Sequence, residues 1–206
     1  MSEVTEVDTA AAERMTFFSD AVVAIAITLL AIELPVPSGA TTEEFLASLG
    51  EGWFEYLAFL ISFVVIANHW AAHHRVFRFV RRADPPLVGL NLFWLLMVVV
   101  TPFLTRILTE GDLTFMRFAM YAAAQAIQMA TFGVMIAVLA RRGWFAPGTP
   151  RSLTVRGWVN SLVGAAGFLL SLPLFPLVGT WAFAVWALVP MLGGRLLQRA
   201  GVISRA

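Results

Sequence analysis

One aspartate, one threonine and three histidines in this chain combine reactive chemistry with a placement that lets them act. Asp20 sits near the start of an almost wholly apolar run at 17–35, and Thr28 lies in its middle. A carboxylate at the centre of a hydrocarbon layer costs about 2.5–3.5 kcal/mol, and less near an interface. Asp20 is therefore expected to face protein or water, where it can hold a cation or a proton. His69 and His73 are four residues apart and share a helical face, the spacing of a metal pair. No carboxylate lies near them in sequence, so no metal site is expected. Asn68 or His73 is instead the expected hydrogen-bond partner of Asp20, with Asn91 and Trp94 as further members of the same polar group. The chain has no cysteine, which excludes disulfides, thiolate metal ligands and cysteine nucleophiles. No nucleophile–base pair surrounds the histidines or Asp20, so an enzyme is not expected.

The elements that must position these residues are membrane helices. Of 206 residues, 59% are hydrophobic and 13% charged, about half the charged share of a soluble domain. The net charge is +1 and no basic cluster suggests nucleic acid, which is not an expected partner. The acidic N-terminus lacks the basic region and cleavage site of a signal peptide, so the first apolar run should remain as an anchor. Run lengths predict a single domain over 1–206 with six spans at about 17–35, 53–80, 87–108, 113–140, 153–172 and 177–197. Pro35 and Pro37 should end the first. Thr41 and Glu44 form a capping box for a short helix, and Asp84 should cap the third span, with proline in its first turn. Pro102 should kink that span. Asp112 is the expected cap of the fourth, and a turn at 173–176 should join the last two. With the N-terminus inside, Arg14, the groups Arg75/78/81/82 and Arg141/142/151/156, and Arg195, Arg199 and Arg205 fall inside. Only Arg106 and Arg117 fall outside. Twelve against two is the asymmetry of cytoplasmic loops, and it places both termini in the cytoplasm.

At 100° per residue, Phe18, Val22, Ile25, Thr28, Leu29 and Ile32 share one face of the first helix, while Asp20 points about 140° away from Ile25. Such spacing suits lipid-facing or packing residues as well as a pore wall, and Thr28 can simply bond to a carbonyl of the preceding turn. Arg14, Ser19 and Asp20 are expected to be buried against neighbouring helices. Glu33, at the outer end, can attract cations or merely reach water. The first-span pattern occurs once, so a pore built on it needs symmetric copies of the chain.

Arg14-x-x-x-Phe18-Ser19-Asp20, followed by Ala-Val-x-Ala-Ile-Ala-Ile-Thr-Leu-Leu, resembles the signature of the transmembrane protein 175 family, endosomal and lysosomal potassium channels of animals and their bacterial homologues. His-His-Arg-x-Phe-Arg at 73–78 and Asn91-Leu92 extend the likeness. The resemblance implies an all-α membrane protein of six spans, assembled as a homotetramer with first helices around the axis, in the plasma (inner) membrane of a bacterium. It implies a potassium channel with K+ as permeant ion and no cofactor. Ile25 would form the narrowest ring, with Leu29 and Ile32 as further apolar layers and Thr28 bearing on selectivity. Arg14, Phe18, Ser19 and Asp20 would belong to a supporting polar network. Without the T-V-G-Y-G filter loop of common potassium channels, discrimination should be weak. A protonated His73 would tune opening with pH. A proton-conducting channel, or a secondary transporter using Asp20, is the alternative.

Overall fold

The computed structural model describes residues 5–186 and 188–189. Among them, helices α1 (Glu6–Ile32), α2 (Thr42–Glu51), α3 (Trp53–Phe77), α4 (Pro85–Thr109), α5 (Phe115–Arg142) and α6 (Arg151–Val178) follow in order. A 3-10 turn at Gly179–Ala182 comes next, then a helical segment from Phe183. All but the short α2 are long and apolar enough to cross a bilayer, five spans in the described residues. The sixth predicted span lies partly outside them, as do Arg195, Arg199 and Arg205.

The helices alternate in direction, so one end of the bundle gathers the arginines of the α3–α4 and α5–α6 loops. There Val80 pairs with Phe145 as an antiparallel bridge, fixed by Arg81 N–H to Trp144 O (3.0 Å) and Ala146 N–H to Phe79 O (2.8 Å). The Trp144 ring has the Arg142 and Arg82 guanidinium carbons 4.8 and 5.7 Å from its centroid. Arg142 pairs with Asp84, whose other oxygen accepts the Leu87 N–H that opens α4. Arg82 reaches Asp8 of α1 at 3.7 Å. Asp84→Ala removes a helix cap together with this ion pair, and should lower stability by about 1–2 kcal/mol. Asp84→Asn keeps the cap and should cost less than about 1 kcal/mol, since Arg142 is largely exposed. Thermal unfolding of the detergent-purified protein checks both.

Several predicted boundaries move. α1 starts at Glu6 because Thr5 and Asp8 form a capping box that the sequence reading passed over. It ends at Ile32, earlier than Pro35, since a residue preceding proline is pushed out of helical geometry. α3 stops at Phe77 because Val80 is taken by the bridge. Thr114, and not Asp112, caps α5 through the Arg117 N–H. α4 continues through Pro102 and α6 through both Pro173 and Pro176. The expected turn at 173–176 is therefore absent, and the reversal comes at Gly179. Its φ of +57° and ψ of −132° suit a residue without a side chain. Beyond it the chain doubles back, so that Trp186 Nε1 donates to Ser171 Oγ at 2.8 Å and its ring stacks on Phe118 and Tyr121.

α4 and α5 are the most enclosed helices, with α1 and α3 packed against α4 and α6 against α5. One apolar cluster, around Ile66, Trp94 and Met135, fills the arginine-rich half. A second, around Phe118, Tyr121 and Trp186, fills the other.

Candidate pore face and polar network

α1 has two distinct faces. Val23, Ala26 and Leu30 recur at helical spacing and are buried in the bundle. On the other side Phe18, Ile25, Leu29 and Ile32 are open, Ile25 with 60% of its surface uncovered by its own chain. Val22, at the edge of this stripe, is partly buried against the core. Arg14 lies eleven residues before Ile25, about 20° away around the helix, and is exposed on the same stripe. It is not buried as expected. It stands about 120° from Asp20 around the helix, too far around to pair with it. Thr28 is also exposed, and its hydroxyl donates to Ile25 O at 2.8 Å. With its proton turned inward, the oxygen keeps lone pairs free on the open side.

The orientation of α1 is held by a directional chain of buried hydrogen bonds. Ser19, 0% exposed, donates to Met15 O at 2.8 Å. Its oxygen accepts from Asn91 Nδ2 at 2.9 Å, and Asn91 Oδ1 lies 2.9 Å from His73 Nε2. Because Asn91 Oδ1 can only accept, His73 Nε2 must carry the proton. The chain therefore runs from α3 through α4 to the backbone of α1. The His73 ring is stacked between Phe77 and Trp94, at centroid distances of 3.8 and 4.7 Å. Trp94 joins the group by packing on that ring.

Asp20 is held by neither Asn68 nor His73. Trp70 Nε1 donates to its Oδ1 at 2.9 Å, and His74 Nδ1 lies 3.6 Å from its Oδ2. Trp70 and His74 are one turn apart on the side of α3 that faces α1. Asn68, about 160° around the helix from Trp70, lies on the side towards α6. His73 is committed to Asn91, so the histidine facing the carboxylate is His74. Phe18 lies outside these contacts on the open stripe. At the other end of α1, Glu33 pairs with Arg106 at 3.0 Å.

A second buried polar group was missed in the sequence. Tyr121 Oη lies 3.0 Å from Ser62 Oγ, Thr105 Oγ1 donates to Ser62 Oγ at 2.8 Å, and Gln125 Nε2 donates to Thr101 Oγ1 at 3.1 Å. Its signal was present: Thr101 and Thr105 are one turn apart on α4, as Tyr121 and Gln125 are on α5.

The fold and these contacts define a bundle-type membrane protein whose first helix is braced on one side and bare on the other. Residues 14–102 match the family model described as the endosomal/lysosomal potassium channel TMEM175. A Streptomyces collinus protein named a potassium channel is 42% identical over 97 residues, 47% of each chain. One from Chamaesiphon minutus is 43% identical over 99 residues, 47% of this chain and 49% of that one. The chain thus matches about half the length of these curated relatives. A cattle protein named endosomal/lysosomal proton channel TMEM175 is 37% identical over 94 residues, 42% of this chain and 20% of its own. The crystal structure of a Chamaesiphon minutus protein, described as a homologue of a lysosomal potassium-selective channel TMEM175, superposes with a TM-score of 0.72 at 27% identity. That match covers 89% of this chain and 96% of the other. The resemblance read from the sequence holds. Over residues 14–102, which take in most of α1, α3 and α4, the chain is similar to the TMEM175 family, a family of ion channels and not of enzymes.

Proposed function

We propose that this protein is a potassium-conducting channel of the bacterial plasma membrane, formed by four copies whose α1 helices ring a common axis. The N-terminus and the arginine-rich end face the cytoplasm, as the arginine asymmetry asks. One observation carries the reading: the opposite face of α1 is sealed into its own subunit, while Ile25, Leu29 and Ile32 remain uncovered. Around a shared axis, Ile25 forms an apolar constriction that excludes water and ions until it widens or turns aside. One turn further along, the Thr28 oxygens offer lone pairs that replace part of the hydration shell of an entering cation. Four hydroxyls make a weaker cage than stacked carbonyl rings, so potassium is favoured over sodium only modestly.

Reversal potentials of the purified protein in planar bilayers under a potassium/sodium gradient test this. The parent should favour potassium. Thr28→Ala should move the permeability ratio towards one by about two-fold or more, equivalent to about 0.5 kcal/mol. Equal ratios in parent and variant would remove Thr28 from selectivity.

A second reading rests on Asp20, which is partly exposed between Trp70 and His74 in a chain whose animal relatives are named proton channels. In it the same assembly passes protons by way of that carboxylate. Asp20→Asn would then abolish proton flux while leaving potassium current in place.

A further inference from the structure

A cavity of about 660 Å³ opens between α3, α5 and α6 on the side of the subunit away from α1, within the size range of ligand-holding clefts. Its lining is graded along the membrane normal, and two antiparallel helices show the same gradient independently. At the arginine-rich end stand Arg75 of α3 and Ser152 of α6. Asn68 and Asn160 follow, about 10 and 12 Å deeper at the helical rise of 1.5 Å per residue. Deeper still, Val65 on one helix and Val163 and Phe168 on the other make the wall apolar.

One charged group here lacks a mate among the described residues. Arg75 makes no ion pair or hydrogen bond among the described residues, and no carboxylate is among the residues that line the cavity. His69 also lines it, but its Nδ1 is closed off in the interior, where the His69 ring meets the buried Gln128 side chain.

We propose that the cavity holds one anionic phospholipid of the cytoplasmic leaflet in each subunit. Its phosphate lies on Arg75 and the Ser152 hydroxyl. The headgroup and ester layer of a leaflet is about 5–8 Å deep, which brings the ester carbonyls within reach of the Asn68 amide. An acyl chain continues along Val65, Val163 and Phe168. A free phosphate would satisfy Arg75 but leave both the deeper donors and the apolar wall unused. The site rests on the membrane-spanning reading and not on conduction. A protein that binds the lipid yet carries no potassium current keeps the site and loses the proposed function.

The test is native mass spectrometry of the detergent-purified protein with equimolar dioleoylphosphatidylglycerol and dioleoylphosphatidylcholine. The parent should retain the glycerol lipid about five-fold over the choline lipid, the effect of one arginine at an anionic surface. Arg75→Gln should abolish that preference. Arg78→Gln, which alters an exposed arginine outside the cavity, should preserve it. Val163→Trp should fill the apolar end and lose both lipids, which keeps the test open if Arg75→Gln fails to fold. Equal retention of the two lipids by the parent overturns the proposal. So does an equal effect of the two arginine variants, or undiminished lipid binding in Val163→Trp.

Discussion

Ile25→Asn is expected to raise resting cation flux through the assembled protein at least about ten-fold, the effect of lowering the barrier by about 1.4 kcal/mol. The side chain has as many heavy atoms as that of isoleucine but is polar and more compact, so the expected change combines wetting with a modest widening. Asparagine amides around the proposed axis would hold water where the proposed isoleucine ring would exclude it. Ile25 makes few contacts within its own subunit, so the folded chain should tolerate the change. Potassium efflux from proteoliposomes measures it directly. Because the Thr28 layer is untouched, the permeability ratio should fall much less than the flux rises. Val23→Asn, two residues away on the buried face, should instead destabilise the fold and raise no flux.

Asn91→Leu should be the most damaging single change in the polar network. It removes both side-chain bonds of Asn91 at once and leaves His73 Nε2–H buried without an acceptor. Each stranded group costs about 1–3 kcal/mol, so a loss of about 2–4 kcal/mol is expected, read as a lower unfolding temperature in detergent. Ser19→Ala is milder: the Asn91 amide loses one acceptor, and Met15 O can still serve the helix ladder. Because the two residues act in one chain, Ser19→Ala combined with Asn91→Leu should cost little more than Asn91→Leu alone. Additive losses would mean that the contacts are independent and that the chain does not act as a unit. The network fixes the rotation of α1, so Asn91→Leu should also disturb potassium flux in whatever protein still assembles.

The two-faced character of α1 was legible in the sequence because its spacing is regular and its polar residues are few. The partners on α3 were not. Asn68, His69, His73 and His74 spread over about 240° of that helix, and the rest of it is apolar all round. Nothing in its own pattern chooses which side meets α1; packing against α4 decides that, turning Trp70 and His74 towards Asp20 and Asn68 towards α6. The misplaced turn at 173–176 has a different cause. Proline is a strong breaker in water, but inside an apolar span neighbouring helices tolerate the lost backbone bond, and the requirement for positive φ at Gly179 proved the stronger signal. The Thr5 cap gives a weak sequence signal because it precedes a polar, alanine-rich stretch and stands well before the apolar run. In the polar group, Ser19 and Asn91 lie together as expected, whereas Arg14 belongs to the open stripe.

The central claim, that the uncovered side of α1 faces a shared ion path, can be tested with one engineered thiol, since the chain has no cysteine of its own. A membrane-impermeant cationic methanethiosulfonate would be applied during potassium current to Ile25→Cys, with Leu170→Cys on the exposed outer side of α6 as control. The account predicts that current through Ile25→Cys is blocked once the pore has opened and that the control is unaffected. Current through Ile25→Cys that survives the reagent, with the thiol shown afterwards to be unmodified after repeated opening, would place that face against lipid and contradict the account.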